Sequence, residues 1–201
     1  MNIEHVKIFV QGNTKVPTRA KGDAGIDLYM PNLTESFIKD LTDKNPGQPF
    51  RWSLIGAPKD EEEVKNNKGV YLQLSPHEDI VIPTYVSARI PENCVLIMTN
   101  KSGVATGQKL KVGADTIDSS YQGIIHIHVF NFSNVPRFIE FGQKLAQMVP
   151  QVFNNEDIEI FYDDKIETFK EYKNFVSKEK FYEGHSSERG DKGFSEGTGK
   201  F

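Results

Sequence analysis

Short apolar stretches with a period of two run through most of the chain, broken by Pro, Gly, Asn and Asp. The clearest are VKIFV at 6–10, YLQL at 71–74, DIVIPTYVSARI at 79–90, CVLIMT at 94–99, IIHIHVF at 124–130, KLAQMV at 144–149 and IEIFY at 158–162. Successive side chains of a strand point to opposite faces, so this alternation buries one face and wets the other. Many short strands with turn residues between them predict an all-β sandwich or barrel.

Two segments leave that pattern. In residues 31–69, Leu33, Phe37 and Leu41 share one helical face. Asn32 with Glu35 three residues on resembles a capping box, and Asn45-Pro46-Gly47 supplies a stop. The rest of that insertion, including KDEEEVKNNKG at 59–69, is charged and predicts a solvated loop or hairpin. A second helix is expected over 164–182, where Ile166, Phe169, Tyr172 and Val176 form a packing stripe. The chain therefore reads as one β-rich domain over 1–182, followed by an arm at 183–201. Five of the sixteen glycines fall in the last eighteen residues, as in a flexible tail.

Composition narrows the setting. The longest apolar run in the middle of the chain, Cys94 to Met98, falls far short of the roughly 20 residues that cross a bilayer. The opening MNIEHVKIFV lacks the marks of a signal peptide. Cys94, the single cysteine, lies in an apolar run and predicts a buried structural thiol. A reducing, cytoplasmic setting is expected. The net charge of −4 comes without a basic run, which argues against direct nucleic-acid binding. A small phosphorylated ligand remains compatible.

The stretch with the most chemistry is VGADTIDSSYQG, Val112 to Gly123. Asp118 follows Ile117 and precedes Tyr121 and Gly123. Read in isolation it is either a turn former or a reactive carboxylate. Four other stretches accompany it in order: AGIDLY (24–29), NKSG (100–103), GQKLAQM (142–148) and RGDKGFSEGTG (189–199). Together these resemble the five motifs of the trimeric dUTP nucleotidohydrolases (dUTPases), from about Val6 to Gly199 with the insertions left out.

The resemblance implies a distorted β jelly roll, a homotrimer whose active sites draw on all three subunits, and hydrolysis of dUTP to dUMP and pyrophosphate. It implies Mg²⁺ on the triphosphate, with Asp27 reaching the metal through water. Asp118 then matches the general base for the attacking water. Tyr121 matches the ring packed on the deoxyribose, which leaves no room for a 2′-hydroxyl. Ile117 flanks this site. Lys101, Ser102, Gly103 and Gln147 match phosphate contacts. In the arm, Arg189 matches the γ-phosphate fork and Phe194 the stack on the base, with Ser195 or Thr198 adding a hydroxyl.

Three departures stand out. Lys101 replaces the usual Arg and loses its bidentate fork. GFSEGTG is one residue longer than usual, so Ser195 and Thr198 compete for one role. Asp115 stands where glycine is common. If the turn centres on Ser119 to Gln122, Asp115 faces His126 across the hairpin, as a charge pair near the base or as an Asp tolerating a glycine's backbone angles. A carboxylate there would accept from cytosine's amine, which raises dCTP as an alternative or second substrate. A related branch of the superfamily deaminates dCTP and carries a Glu in a strand resembling TLELSN. Aligned on Asn131, His128 takes that place here, which disfavours deamination. His126 and His128 lack a third ligand for a metal. A contrasting reading is a nucleotide module that binds a protein partner through insertion 31–69, where Trp52 is either an anchor or part of a local core.

Overall fold

In the computed structural model the described residues are 5–12, 14–54, 69–153, 162–163 and 175–184. They fall into two compact units, residues 1–155 and 156–201.

The first unit is built of short strands, as the alternation predicts, and forms the distorted β jelly roll that the resemblance implies. Its elements are β1 (Lys7–Val10), β2 (Ile26–Tyr29), α1 (Glu35–Lys44), β3 (Arg51–Leu54), β4 (Val70–Leu74), β5 (Asp79–Pro83), β6 (Val86–Arg89) and β7 (Cys94–Asn100). There follow α2 (Ser102–Gly107), β8 (Leu110–Gly113), β9 (Thr116–Ile117), β10 (His126–Asn131), β11 (Arg137–Glu140) and β12 (Lys144–Val152). The sheets run β1-β6, β5-β10-β8, β11-β4-β3 and β2-β12-β7-β9. Alternation carries straight into burial: along β10, Ile127, Val129 and Asn131 are buried, while His126, His128 and Phe130 are not. Leu28, Leu72, Ile80, Leu96, Ile127 and Met148 are 0–1% exposed, each contributing about 1.5–3 kcal/mol by leaving water. Cys94 is buried, as expected for a structural thiol.

The insertion is built into this core. Phe37 and Leu41 of α1 are fully buried and Leu33 packs against the same cluster. The helix is capped by Thr34 rather than Asn32: the Thr34 hydroxyl accepts from Phe37 N at 3.1 Å, and Thr34 itself is extended. The apolar stripe, not the Asn-to-Glu spacing, sets the start. At the other end Asn45 is the C-cap, and it does more than stop the helix. Its amide nitrogen donates to Leu41 O at 2.7 Å and Val81 O at 2.8 Å, while its oxygen accepts from Val81 N at 2.8 Å. One side chain thus supplies a rung of sheet pairing to the free edge of β5. The second half of the insertion supplies β3, which pairs antiparallel with β4 just beyond it, Leu54 opposite Val70. Residues 55–68, which carry the charged run, lie outside the described residues. Trp52 packs between Phe50 and Phe141, ring centroids 6.2 and 5.7 Å away, yet keeps 36% of its surface exposed, so it joins a local cluster and still presents a face to solvent.

DIVIPTYVSARI is two strands, not one. Pro83 ends β5, and Thr84–Tyr85 turn the chain into β6, with Tyr85 at φ +57°.

In the second unit, β13 (Tyr162–Asp163) pairs in parallel with β14 (Phe175–Val176), and α3 spans Lys178–Phe181. Val176, expected on a helical stripe, is therefore in a strand, in keeping with the preference of β-branched residues for pleated backbone. Residues 154–161, with most of IEIFY, and 164–174, with most of the expected helix, lie outside the described residues. Among the described residues no helix is long and apolar enough to cross a membrane.

Candidate active site

Four of the five motifs converge on one sheet. In β2-β12-β7-β9, Asp27 faces Gln147 and Gln147 faces Thr99, so the first and fourth motifs share a rung with the strand that leads into the second. Gly25 permits this approach: a Cβ there would lie 2.9 Å from Gln147 Oε1 and 3.1 Å from its Cβ.

Asp27 is only 7% exposed. Lys101 Nζ meets its Oδ1 at 2.5 Å and Lys144 Nζ meets Oδ2 at 2.7 Å. Burial alone would raise this carboxyl, but the hydrogen bonds and charges of Lys101 and Lys144 outweigh it and hold the acid below its ordinary value. Lys144, in turn, is raised by Asp27. Lys144 was not expected in the site. Strict alternation from Gln147 sends residue 144 to the opposite face, but the pairing register shifts between Lys144 and Ala146 and re-aims it. Only its place three residues before Gln147 hints at the bulge.

Lys101 is the N-cap residue of α2. Ser102 and Gly103 follow, both exposed, and a Cβ on Gly103 would meet nothing within 4 Å. The first-turn amides have no partner inside the helix and face open space that an anion can occupy.

The third motif begins in one sheet and ends in another. Gly113, Val112 and Lys111 on β8 face His128, Val129 and Phe130 on β10, the register the sequence predicts. The chain then leaves β10. Ala114 takes φ +55°, Met98 N donates to Asp115 O at 2.6 Å, and Thr116–Ile117 pair with Ile97 and Leu96 of β7. Two expectations change as a result. His126 faces Pro83 rather than Asp115. The left-handed backbone angle falls on Ala114, not on Asp115. A hairpin extrapolated in one plane cannot anticipate a strand that switches sheets.

Ile117 is buried and Asp118 exposed. Among the described residues nothing hydrogen-bonds the Asp118 carboxylate. Its carbonyl accepts from Tyr121 N at 3.1 Å, closing the turn, and Tyr121 Oη donates to Ile124 O at 2.7 Å. The tyrosine lies so close over Gly123 that a Cβ there would sit 2.6 Å from Oη. Glycine is needed for the ring to lie down. Ser119, Tyr121 and Gln122 line a broad groove of about 1740 Å³ together with Ile8, Ser87 and Arg89 of β1 and β6. His126 is half-buried; burial, with the Lys44 ammonium pushing the same way, lowers its imidazole from 6.5. His128 bonds Asp79 at 2.7 Å. Among the described residues no cluster of three His, Cys, Asp or Glu can hold a metal.

The two halves of the site are far apart within one chain. Ile117 stands opposite Leu96, and Asp118 continues toward the start of β7, whereas Lys101 follows its end. Six residues of strand separate them, about 20 Å at about 3.3 Å per residue. Arg189, Phe194, Ser195 and Thr198 lie outside the described residues.

A family model described as dUTPase matches residues 68–197. A deoxyuridine 5'-triphosphate nucleotidohydrolase of Arabidopsis thaliana is 31% identical over 133 residues, covering 66% of this chain and 76% of that protein. The enzyme of the same name from Finegoldia magna is 36% identical over 86 residues, 42% of this chain and 60% of its own. The one from Mus musculus is 28% identical over 86 residues, 43% and 53% respectively. Among solved structures, a variant dUTPase of the staphylococcal phage 80alpha superposes with a TM-score of 0.59 at 20% identity, covering 96% of this chain and 98% of that one. The native dUTPase of EIAV gives 0.52 at 19%, with 81% and 100% covered. At these identities the structural likeness speaks for the fold.

Proposed function

The chain belongs to the dUTPase family, and from that premise we propose that it hydrolyses dUTP to dUMP and pyrophosphate with Asp118 as general base. Water attacks the α-phosphorus and passes its proton to the Asp118 carboxylate. The bond to the bridging oxygen breaks and pyrophosphate leaves. The observation that carries this reading is the rung of Asp27, Gln147 and Thr99 with Lys101 bonded to Asp27, beside the open first turn of α2. Carboxylate, cations and free amides lie together as a triphosphate with its metal requires.

Asp118 supports the role of base by being exposed and unbonded among the described residues, in a turn fixed by its own carbonyl. Tyr121 presents a ring held by Ile124 O and Gly123, suited to pack on a deoxyribose and exclude a 2′-hydroxyl. Lys101, Ser102, Gly103 and Gln147 hold phosphates. Arg189, Phe194 and a hydroxyl of Ser195 or Thr198 keep the nucleotide-binding roles that the family resemblance implies for them.

Mg²⁺ fits this donor set in a limited way. One buried carboxylate is no cage, but Mg²⁺ keeps much of its water and needs few protein ligands when phosphates supply the rest. Asp27 would hold a metal-bound water, and the ion would neutralise charge on the phosphates. A solved dUTPase of phage phi11 is described with a structural Mg(II) ion.

The separation of about 20 Å between Asp118 and Lys101 along β7 favours a site completed by other subunits, in a homotrimer.

Asp118→Asn is the test. Turnover of dUTP is expected to fall about 10²–10⁴-fold while nucleotide affinity, measured by calorimetry, holds. Unchanged turnover moves the chemistry to another group.

A further inference from the structure

The insertion reaches the sugar-reading tyrosine through a single peptide plane. Tyr121 Oη donates to Ile124 O at 2.7 Å, and the N–H on the other side of that same peptide, Ile125 N, donates to Val86 O at 2.7 Å. A peptide is rigid, so fixing one edge fixes the other. The carbonyl of Ile125 is clamped too, by Thr84 N at 3.1 Å and Thr84 Oγ1 at 2.6 Å, with Thr84 wholly buried.

Between Thr84 and Val86 sits Tyr85, in the left-handed region at φ +57°. An L residue holds such an angle only where its surroundings over-determine it. The Tyr85 carbonyl accepts from Gln11 N at 2.7 Å, and its side chain is held by α1. Tyr85 Oη donates to Asp40 Oδ2 at 2.8 Å, and its ring meets Phe37 edge-on at 6.4 Å. Asn45, at the end of the same helix, pairs both backbone groups of Val81 on the strand that feeds this turn. Helix and loop are thus joined through the 84–86 turn by three consecutive anchored residues.

We infer that Asp40 and Tyr85 are positioning residues for nucleoside recognition: by fixing the turn that holds the 124–125 peptide, α1 sets the height of the Tyr121 ring over the sugar. The inference rests on the assignment of Tyr121 to the deoxyribose. It gives the insertion a task inside the enzyme, separate from any partner it binds. A displaced ring leaves space above C2′, so the expected signature is weaker refusal of the ribonucleotide.

The experiment measures kcat/KM for dUTP and UTP in the full-length protein and its Asp40→Ala, Asp40→Asn, Tyr85→Phe, Tyr121→Ala and Leu72→Ala variants. Asp40→Ala and Tyr85→Phe are expected to lower the dUTP-over-UTP ratio by about 10-fold, mainly through a higher KM for dUTP. Asp40→Asn, which keeps an acceptor, restores it. Leu72, buried on β4 in the same core but hydrogen-bonded through its backbone only to β3 and β11, reports plain destabilisation: its alanine variant lowers the melting temperature and leaves the ratio alone. Should Asp40→Ala fail to fold, Tyr85→Phe, which deletes one oxygen, decides. A wild-type ratio in Asp40→Ala or Tyr85→Phe, with Tyr121→Ala discriminating poorly, overturns the inference and spares the sugar assignment. A wild-type ratio in Tyr121→Ala removes both.

Discussion

At the scale of single residues, the motifs state identities but not directions. Asp27, Gln147, Lys101 and Asp118 were all recognisable in the sequence, because each lies in a short, ordered signature. Lys144 was not, because it reaches Asp27 only through a bulge that no alternation rule foresees. Asp115 shows the converse. Its position in the third motif was clear, yet its partner was misread, since the chain changes sheets at Ala114 and carries Asp115 to β7. Its carboxylate is exposed, so discrimination between pyrimidines becomes a direct measurement. Pyrophosphate release from dUTP, dCTP, dTTP and UTP is expected to be dominated by dUTP. Comparable dCTP turnover that disappears in Asp115→Gly would instead assign this side chain to the base.

At the scale of elements, the β alternation was legible almost throughout, since one face of each strand must leave water. What escaped were boundaries set by capping and turn chemistry. Thr34 caps α1 in place of Asn32, and the 84–85 turn splits an apolar run that reads as one strand. The docking of α1 also carries a pH signature. His126 is half-buried, and burial together with the nearby Lys44 charge lowers its imidazole below 6.5. The folded chain therefore resists the proton that the unfolded chain accepts. The corresponding stability is present above 6.5 and is lost as the pH falls toward the lowered folded value. The melting temperature should fall as the pH drops below 6.5, and His126→Gln should flatten that slope. A slope unaltered in the variant would place the titration elsewhere.

At the scale of the whole molecule, the distance along β7 bears on the assembly. On the proposed reading Asp118 and the turn at Ser102 serve one substrate, and about 20 Å of strand between them then requires that they come from different copies. Subunits carrying Asp118→Asn and subunits carrying Ser102→Ala, each inactive alone, should then complement. After mixing and reassembly at equal amounts, independent sampling gives intact sites in about a quarter of cases, so about that share of wild-type turnover should return. A mixture as silent as its components would mean that each chain builds its own site.

The paired lysines on Asp27 bear on how ion and nucleotide bind. Lys101 and Lys144 occupy both oxygens of the Asp27 carboxylate, and the Asp23 carboxylate also acts on Lys144. On the proposed reading, a triphosphate that draws both lysines to itself frees Asp27 for a metal-bound water, so the affinities for Mg²⁺ and nucleotide should rise together; Mg²⁺ titration with and without a non-hydrolysable triphosphate reads that linkage.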